Sequence, residues 1–233
     1  MMTLRGARSY LFEMRITAIE PQRLHPERVN VHVDGAFRLG LAAELVLTER
    51  LRVGDEVDDA RLAELEVRDQ TWKARDAALS LLSYRARSSV ELKRRLKRKG
   101  FVDTVAADTV ERLDAIGVVD DAAFAESFVR DRVRLKPRSS RRLAGELRAK
   151  GVDQETARAA IAEVMEREET SELDLARAAA ARWRPRAGEE PARARARLHA
   201  FLARRGFGGE AIRAVIKESG IGRASEELDP PIY

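Results

Sequence analysis

The side chains capable of acid–base or metal chemistry are few and scattered along the chain. The three histidines, His25, His32 and His199, match no helical metal-binding spacing such as His-Glu-x-x-His. The chain has no cysteine, which excludes disulfides and thiolate metal sites. Asp120 and Asp121 are adjacent carboxylates with the chemistry of a general acid and base or of metal ligands. They stand directly before a predicted helix, however, so we favour the interpretation that they cap its free N–H groups.

A phosphate-binding loop is not indicated either. The segment Gly206-Phe-Gly-Gly209 lacks the preceding strand and the following Lys-Ser/Thr pair that a P-loop requires. It is typical of a helix end. We therefore predict no catalytic residue, no bound metal and no cofactor.

Lysine and arginine are concentrated in three windows. Arg85–Lys99 has eight basic residues and one acidic residue, for a charge of +7. Arg132–Arg148 has seven basic residues and one acidic residue, and Arg182–Arg205 has eight basic and two acidic, so each carries +6. The three windows together carry +19 in a chain of net charge +5, which leaves −14 for the remaining residues. This concentration of positive charge indicates a large charged partner.

The three windows share one helical pattern. Aligned on their glycines, the segments read RSSVELKRRLKRKGF (87–101), RSSRRLAGELRAKGV (138–152) and RARARLHAFLARRGF (193–207). Each contains two leucines four residues apart, which places both on one helical face and leaves Lys and Arg around the rest. The glycine after the last turn favours the left-handed conformation that ends a helix. We therefore predict three basic amphipathic helices in a tandem repeat.

Another helix is predicted before each basic helix, at about 71–84, 121–135 and 171–183, and a further helix after each of the three glycines. Each unit then has three helices in about 50 residues, too few to be stable without support from its neighbours. We assign repeat 1 to residues 71–118, repeat 2 to 119–170 and repeat 3 to 171–223, with a C-terminal tail at 224–233. The predicted fold class is mainly α, with tandem three-helix repeats forming an elongated array.

The N-terminal third has a different pattern. Residues 15–20 and 28–34 are rich in alternating or β-branched residues, and Asp34-Gly35 predicts a two-residue hairpin turn. The apolar run at 41–47 favours a short helix. We predict a small strand-rich module at 14–70, preceded by a loose N-terminal extension at 1–13.

The composition bounds the class of protein. Charged residues make up 36% of the chain and aromatic residues 5%, which favours small helical units over a single thick β-sandwich. No stretch approaches the roughly 20 apolar residues of a membrane span, and the N-terminus has no apolar signal core. The absence of cysteine is typical of a reducing compartment, so we expect a cytoplasmic protein. No heptad seam is visible, which favours a monomer.

The basic faces define the expected partner. A single helix often carries Lys and Arg only for solubility. Three such helices in register, in a chain whose remainder is acidic, favour a partner that also repeats, either nucleic acid or a protein polymer with acidic sites. Few aromatic residues lie among the basic ones, so stacking on single strands is not indicated. Contacts to DNA would go mainly to phosphate and carry little sequence specificity.

A family resemblance rests on three stretches of sequence. Ala77–Leu92, AALSLLSYRARSSVEL, with Lys99-Gly-Phe101 after it, resembles the first repeat of the RecX family of regulatory proteins. Asp120–Val129, DDAAFAESFV, is similar to the start of the family's second repeat, and Leu143–Val152 resembles the end of that repeat's basic helix. The match covers about Met14–Val164 and thins in repeat 3. Lys136-Pro-Arg138 departs from the glycine-containing turn that the family often has.

The resemblance implies a non-enzymatic regulator, usually an inhibitor, of the RecA recombinase. Such a protein lies in the groove of the RecA–DNA filament and limits filament growth, ATPase and strand exchange, with roles in homologous recombination, DNA repair and the SOS response. The expected partners are the RecA filament and DNA, the latter bound weakly and without sequence specificity. The expected contact residues are Arg85, Arg87, Lys93, Arg94, Lys97, Arg138, Arg141, Arg142 and Arg148.

Two alternatives stay open at this point. One is a general DNA-binding accessory protein whose target is the phosphate backbone. The other is a hydrolase or nuclease that uses the carboxylates of Asp120 and Asp121 with a divalent metal.

Overall fold

Four strands and ten helices make up residues 14–221, the part of the chain that the computed structural model describes. The strands are β1 Met14–Pro21, β2 Arg28–Val33, β3 Ala36–Ala42 and β4 Glu56–Val57. The helices are α1 Ala43–Thr48, α2 Asp59–Tyr84, α3 Ser89–Arg98, α4 Asp103–Ala115, α5 Asp121–Leu135, α6 Ser140–Ala149, α7 Gln154–Arg167, α8 Glu172–Ala180, α9 Pro191–Arg204 and α10 Gly209–Glu218. The predicted extension at 1–13 and tail at 224–233 lie outside the described residues.

The strands form one antiparallel sheet in the order β3-β2-β1-β4. The hairpin between β2 and β3 turns at Asp34 and Gly35, whose φ angles of 52° and 81° are both positive. A two-residue turn of this kind needs two residues that tolerate left-handed backbone, and Asp-Gly supplies them. The predicted hairpin is confirmed.

One face of the sheet is buried under α2. The alternation in β2 places Val29, Val31 and Val33 in a core with Leu62 and Leu65 of α2. We predicted that a helix starts near residue 71, but α2 begins at Asp59, so the predicted boundary between 70 and 71 lies inside it. The first half of α2 is helical because its leucines recur with helical spacing and bury against the strands.

A buried ion pair fixes α2 to the sheet. The side chain of Asp69, 3% exposed, accepts hydrogen bonds from the Arg28 guanidinium at 3.0 and 3.2 Å and from the backbone N–H of Ala42 at 3.0 Å. The ammonium of Lys73 lies 2.8 Å from the same carboxylate. A carboxylate removed from water needs several such donors, and here they come from a strand, a strand end and the helix itself.

The chain groups into two compact units. Among the described residues, one contains 14–84 together with Arg95–Arg112, and the other contains Arg85–Arg94 and 113–221. Within the second unit, α5, α6 and α7 share one core and α8, α9 and α10 share another. Val133 and Met165 pack against both cores, so these two repeats support each other. This agrees with the expectation that three-helix units of this size need neighbours.

Phe124 lies in the core of repeat 2, and the partly buried Phe128 packs against that core. Their rings stack with centroids 6.3 Å apart, and Phe124 is 8% exposed. They therefore hold the repeat together and are not available to stack on bases.

Candidate functional site

The three basic helices have the narrow buried stripe that the repeat predicts. Their paired leucines are each at most 1% exposed, and they are Leu92 and Leu96 of α3, Leu143 and Leu147 of α6, and Leu198 and Leu202 of α9. Basic residues number five of ten in α3, three of ten in α6 and four of fourteen in α9. The stripe buries enough apolar area to fix each helix and leaves the rest of its circumference to polar, small and basic residues.

Each basic helix ends in the same glycine turn. Gly100, Gly151 and Gly206 have φ angles of 98°, 92° and 91°. The N–H of the residue after each glycine donates to the carbonyl of the second leucine at 3.1–3.3 Å, and the glycine N–H donates to the next carbonyl along the helix. This is the Schellman arrangement, which needs a left-handed residue at the position of the glycine. The predicted helix ends are confirmed.

The turn after α6 lies directly on the first turn of α3. A Cβ at Gly151 would lie 2.3 Å from Cβ of Val90, so the approach requires glycine. The hydroxyl of Ser88 donates to the carbonyl of Lys150. The C-terminal end of one basic helix thus meets the N-terminal end of another, which pairs opposite ends of the two helix dipoles.

The junction between α9 and α6 repeats this arrangement. A Cβ at Gly206 would lie 2.4 Å from Oγ of Ser139, and the N–H of Ser139 donates to the carbonyl of Arg205 at 3.2 Å. Ser139 also caps α6 by accepting from the N–H of Arg142. Three basic helices are thereby joined end to start through equivalent residues of each repeat.

Carboxylates from the first helix of the following repeat cap two of the basic helices. Asp121 accepts from the N–H and hydroxyl of Ser89 at 2.8 and 2.6 Å, and Glu172 accepts from those of Ser140 at 3.1 and 2.8 Å. Asp120 caps its own helix, α5, by accepting from two backbone N–H groups. The capping interpretation is confirmed for Asp120, whereas Asp121 caps α3 instead. Both carboxylates are occupied in structural roles.

The predicted contact residues differ in how much of each side chain reaches solvent. Lys93 and Arg138 are half-buried, and Arg87 is 7% exposed with its guanidinium 2.8 Å from the Glu91 carboxylate. Arg87 therefore fixes the loop before α3, and we remove it from the contact set. The exposed members are Arg85, Arg94, Lys97, Arg141, Arg142 and Arg148.

Some exposed cations are held by carboxylates and others are not. Arg85 pairs with Glu91, Lys97 with Asp103 at 2.7 Å, and Glu146 is shared by Arg132, Arg138 and Arg142. Arg94, Arg141 and Arg148 form no ion pair with any residue that the structure describes. These three guanidinium groups can bind an anion without first breaking an internal contact.

The local electrostatics are visible in the pKa of Glu91. Partial burial opposes ionisation of this carboxyl, but hydrogen bonds from Arg85 and Arg87, and the positive charge of Lys150, hold its pKa below the ordinary value. The positive potential at the start of α3 is therefore strong enough to outweigh desolvation.

Repeat 3 contributes cations that the predicted contact set left out. A cavity of about 470 Å³ between α6 and the end of α9 is lined on one side by Arg141 and Arg142 and on the other by Arg204. Arg195 and Arg204 are exposed and form no ion pair within residues 14–221. The signal was present in the sequence, because the third basic window had the same charge as the second.

Other kinds of site are not formed in the described chain. Within residues 14–221 no three His, Asp or Glu side chains come together in a group able to hold a metal ion. Across the same residues, no helix combines the length and the apolar character needed to cross a membrane.

These features define a class of protein: tandem three-helix repeats that present joined basic helices, preceded by a small β-sheet. Family models match the chain in the same order. The RecX N-terminal domain matches residues 14–58, and the first, second and third RecX three-helix domains match 74–113, 120–161 and 170–216. The chain belongs to the RecX family.

Several relatives named Regulatory protein RecX support this membership. The relative from Geobacillus kaustophilus is 32% identical over 202 residues, covering 85% of this chain and 74% of its own length. That from Mycobacterium leprae is 38% identical over 153 residues, covering 64% and 87%. The match to the Bacillus subtilis protein is 31% identical and spans 67% of this chain but only 60% of that protein.

Two crystal structures share the fold. A regulatory protein RecX superposes with a TM-score of 0.70 at 22% identity, over 88% of this chain and 99% of that one. RecX from Lactobacillus salivarius superposes with a TM-score of 0.51 at 22% identity, over 64% and 96%. The mainly helical fold with tandem repeats and a small β module is thereby confirmed.

Proposed function

We propose that this chain is a non-enzymatic regulator, mostly an inhibitor, of the RecA recombinase. In this proposal it binds along the groove of the RecA–DNA filament and limits filament growth, ATPase and strand exchange. Its family membership supports regulation of RecA. The observation that carries the mode of binding is the end-to-start joining of three basic helices, because such a series presents cations at repeated positions to a repeating partner.

Binding by this surface is multivalent. An exposed ion pair contributes only about 0.2–1 kcal/mol, so no single arginine holds the partner. Several such contacts on one scaffold act together, because after the first forms the others are at high effective concentration. The junction glycines and serines matter to this mechanism, since they fix the spacing between successive basic helices.

The residues that we propose for contact are ordered by their freedom to bind. Arg94, Arg141 and Arg148 come first because they are exposed and form no ion pair within the described chain. Arg85, Lys97, Arg138 and Arg142 come second, since each must exchange an internal carboxylate for the partner. Lys93 also stays in the set, and Arg195 and Arg204 are added from repeat 3.

Cellular location and oligomeric state follow from this role. A regulator of RecA acts in the cytoplasm, where RecA and the chromosome are. One chain carries all three basic helices, so a monomer suffices for multivalent binding. DNA within the filament is bound weakly through phosphates, without sequence specificity.

The test is a titration of RecA ATPase and strand-exchange activity with this protein. The wild-type chain is expected to inhibit both in a dose-dependent manner. The double variant Arg141→Glu/Arg148→Glu should raise the concentration for half inhibition about tenfold or more, as expected for the loss of two weak contacts. The matched control is Arg158→Glu/Lys217→Glu, which reverses two exposed charges on α7 and α10 and should leave inhibition unchanged. Full RecA activity at a several-fold excess of wild-type protein would rule the proposal out.

A second candidate is a general DNA-binding accessory protein. Arg141, which forms no ion pair within the described chain, and the cavity that it shares with Arg142 and Arg204 favour it, because the phosphate backbone binds such groups without a protein partner. This candidate predicts tight DNA binding in the absence of RecA that weakens steeply as salt rises. Negligible DNA affinity at low salt would eliminate it and leave the filament proposal standing.

A further inference from the structure

A small cavity lined by cations lies where repeat 2 meets repeat 3. It has a volume of about 340 Å³ and is formed by the connection between α5 and α6, the end of α8 and the end of α9. Its lining residues are Lys136, Pro137, Arg138, Ala179, Arg182 and Arg205. Four of these six side chains carry positive charge and none carries negative charge. A concave, polar site with this charge is suited to an anion.

Arg205 is the most constrained of the four cations. Its guanidinium lies 3.5 Å from the centroid of the Phe201 ring and donates to the Phe201 carbonyl at 3.3 Å. Partial burial lowers the pKa of Arg205 from its ordinary value, and the charges of Arg138 and Arg204 lower it further. The guanidinium has no carboxylate partner in the part of the chain described. A partly desolvated cation beside other cations is a position that a bound anion would stabilise.

The neighbouring cations are held in place by other contacts. Arg182 donates to the backbone carbonyls of Arg134 and Leu135 at the end of α5, the first at 2.9 Å. Arg138 pairs with Glu146 at 2.7 Å, a carboxylate that also serves Arg132 and Arg142 and so does not balance the local charge. These contacts orient the donors before any ligand arrives, which reduces the entropy cost of binding.

The exposed side chain of Lys136 completes the site. It has no partner within residues 14–221 and can move toward an anion in the cavity. Lys136 and Arg138 flank Pro137, so two of the four cations come from the short connection between α5 and α6.

We propose that this cavity binds a phosphate group of a nucleic-acid backbone. Arg204 and Arg205 are adjacent at the end of α9, and they line two different cavities. Arg205 lines this one, and Arg204 lines the other together with Arg141, Arg142 and one carboxylate, that of Glu146. A polyanion with anionic groups at regular intervals can occupy both cavities at once. A single acidic side chain of a protein would fill only one. The identity of the partner rests on the proposed function, whereas the site itself rests on the geometry.

The test uses the full chain and a short single-stranded oligonucleotide, with binding followed by fluorescence anisotropy in the absence of RecA. Arg205→Gln, which removes a partly buried charge-assisted contact, is expected to weaken binding about tenfold at low salt. Lys136→Gln, which removes an exposed one, is expected to weaken it about two- to fivefold. Each should also reduce the slope of log affinity against log salt by roughly 0.7. Arg158→Gln removes an exposed charge on α7 and should change neither quantity. Lys136→Gln leaves every internal contact of the described chain intact, so its effect does not depend on folding.

An oligonucleotide with neutral methylphosphonate linkages identifies phosphate as the ligand. It is expected to bind wild type weakly and to show no difference between wild type and Lys136→Gln. Wild-type-like affinity of both glutamine variants for the ordinary oligonucleotide would overturn the proposal. If those variants bind DNA normally but lose inhibition of RecA, the cavity takes an acidic protein group instead. That outcome overturns the phosphate site while leaving the proposed function intact.

Discussion

Replacing Gly151 by alanine tests the junction between two basic helices. Gly151 has a φ of 92°, and a Cβ there would lie 2.3 Å from Cβ of Val90 and 2.6 Å from both of its methyl carbons. The left-handed backbone costs an alanine about 1–2 kcal/mol. Relief of the clash requires the turn to move away from α3, which costs a further 1–3 kcal/mol, as overpacking typically does. The expected loss in the free energy of unfolding is therefore about 2–5 kcal/mol.

Gly100 supplies the matched control. It occupies the same position after α3, with a φ of 98°, but a Cβ there would meet no atom within 4 Å. Gly100→Ala should therefore cost only the backbone contribution, about 1–2 kcal/mol. The difference between the two variants isolates the contact between helices, because the glycine turn is otherwise the same.

Urea unfolding followed by far-ultraviolet circular dichroism measures both variants. The double variant Val90→Gly/Gly151→Ala removes all three clashing carbons and should recover part of the loss, giving a coupling energy of about 0.5–3 kcal/mol. If Gly151→Ala and Gly100→Ala lower the urea midpoint equally, the junction makes no energetic contribution. The idea that the repeats depend on this close approach would then be refuted.

Three further perturbations test the buried ion pair, the arginine-held glutamate and the cap. Asp69→Ala should lower the free energy of unfolding by about 3–5 kcal/mol, because it removes one partner of a buried ion pair. The control Asp59→Ala removes an exposed carboxylate and should lower it by less than about 1 kcal/mol. Similar urea midpoints for the two variants would contradict this prediction. Because the pKa of Glu91 is lower in the folded state than in the unfolded state, its ionised carboxylate stabilises the fold at neutral pH. This stabilisation is lost as the pH falls from about 4.3, the ordinary pKa of Glu, through the lower folded-state pKa. Glu91→Gln, which removes the carboxylate that pairs with Arg85 and Arg87, should thus be less stable than wild type at neutral pH, and the gap in urea midpoint should shrink in acid. Asp120→Ala should lower the free energy of unfolding in urea by about 1 kcal/mol. Asp120→Asn should lower it by only a few tenths of a kcal/mol, because asparagine is also a good N-cap. Metal-dependent hydrolysis that Asp120→Asn abolishes would instead support an enzyme.

Local signals made much of the helical fold predictable. The predicted bounds of α5, 121–135, coincide with the helix observed, because a capping aspartate precedes it and Lys136-Pro137 follows it. The start of α2 was not predictable in the same way. Residues 59–70 are dense in alternating charges, and their helical state depends on Leu62 and Leu65 meeting strands that lie far away in sequence. The helical state of residues 59–70 is therefore set by tertiary burial and not by local helix propensity.

The sequence predicted where positive charge is concentrated, but not which of the basic side chains are exposed and free of internal ion pairs within the described chain. Arg87 and Arg94 are alike in the sequence, yet one is buried against Glu91 and the other is exposed without an ion pair in the described chain. The same holds for Asp121, whose capping of α3 depends on a contact between separate repeats. The cavity around Arg205 draws on three segments of the chain, so no short sequence window could indicate it.

The junctions explain how so much positive charge is tolerated along joined helices. At each junction a carbonyl at the end of one helix accepts from a serine at the start of another, so opposite dipole ends are paired. The carboxylates of Asp121 and Glu172 sit at the helix starts, where they satisfy N–H groups and place negative charge inside the junction. Repulsion is thereby offset between the repeats, while Arg94, Arg141 and Arg148 form no ion pair within the described chain. The carboxylates of Asp121 and Glu172 are occupied by N–H groups at the helix starts, so they do not compete with a partner anion for these arginines. A polyanion can therefore bind through many weak contacts.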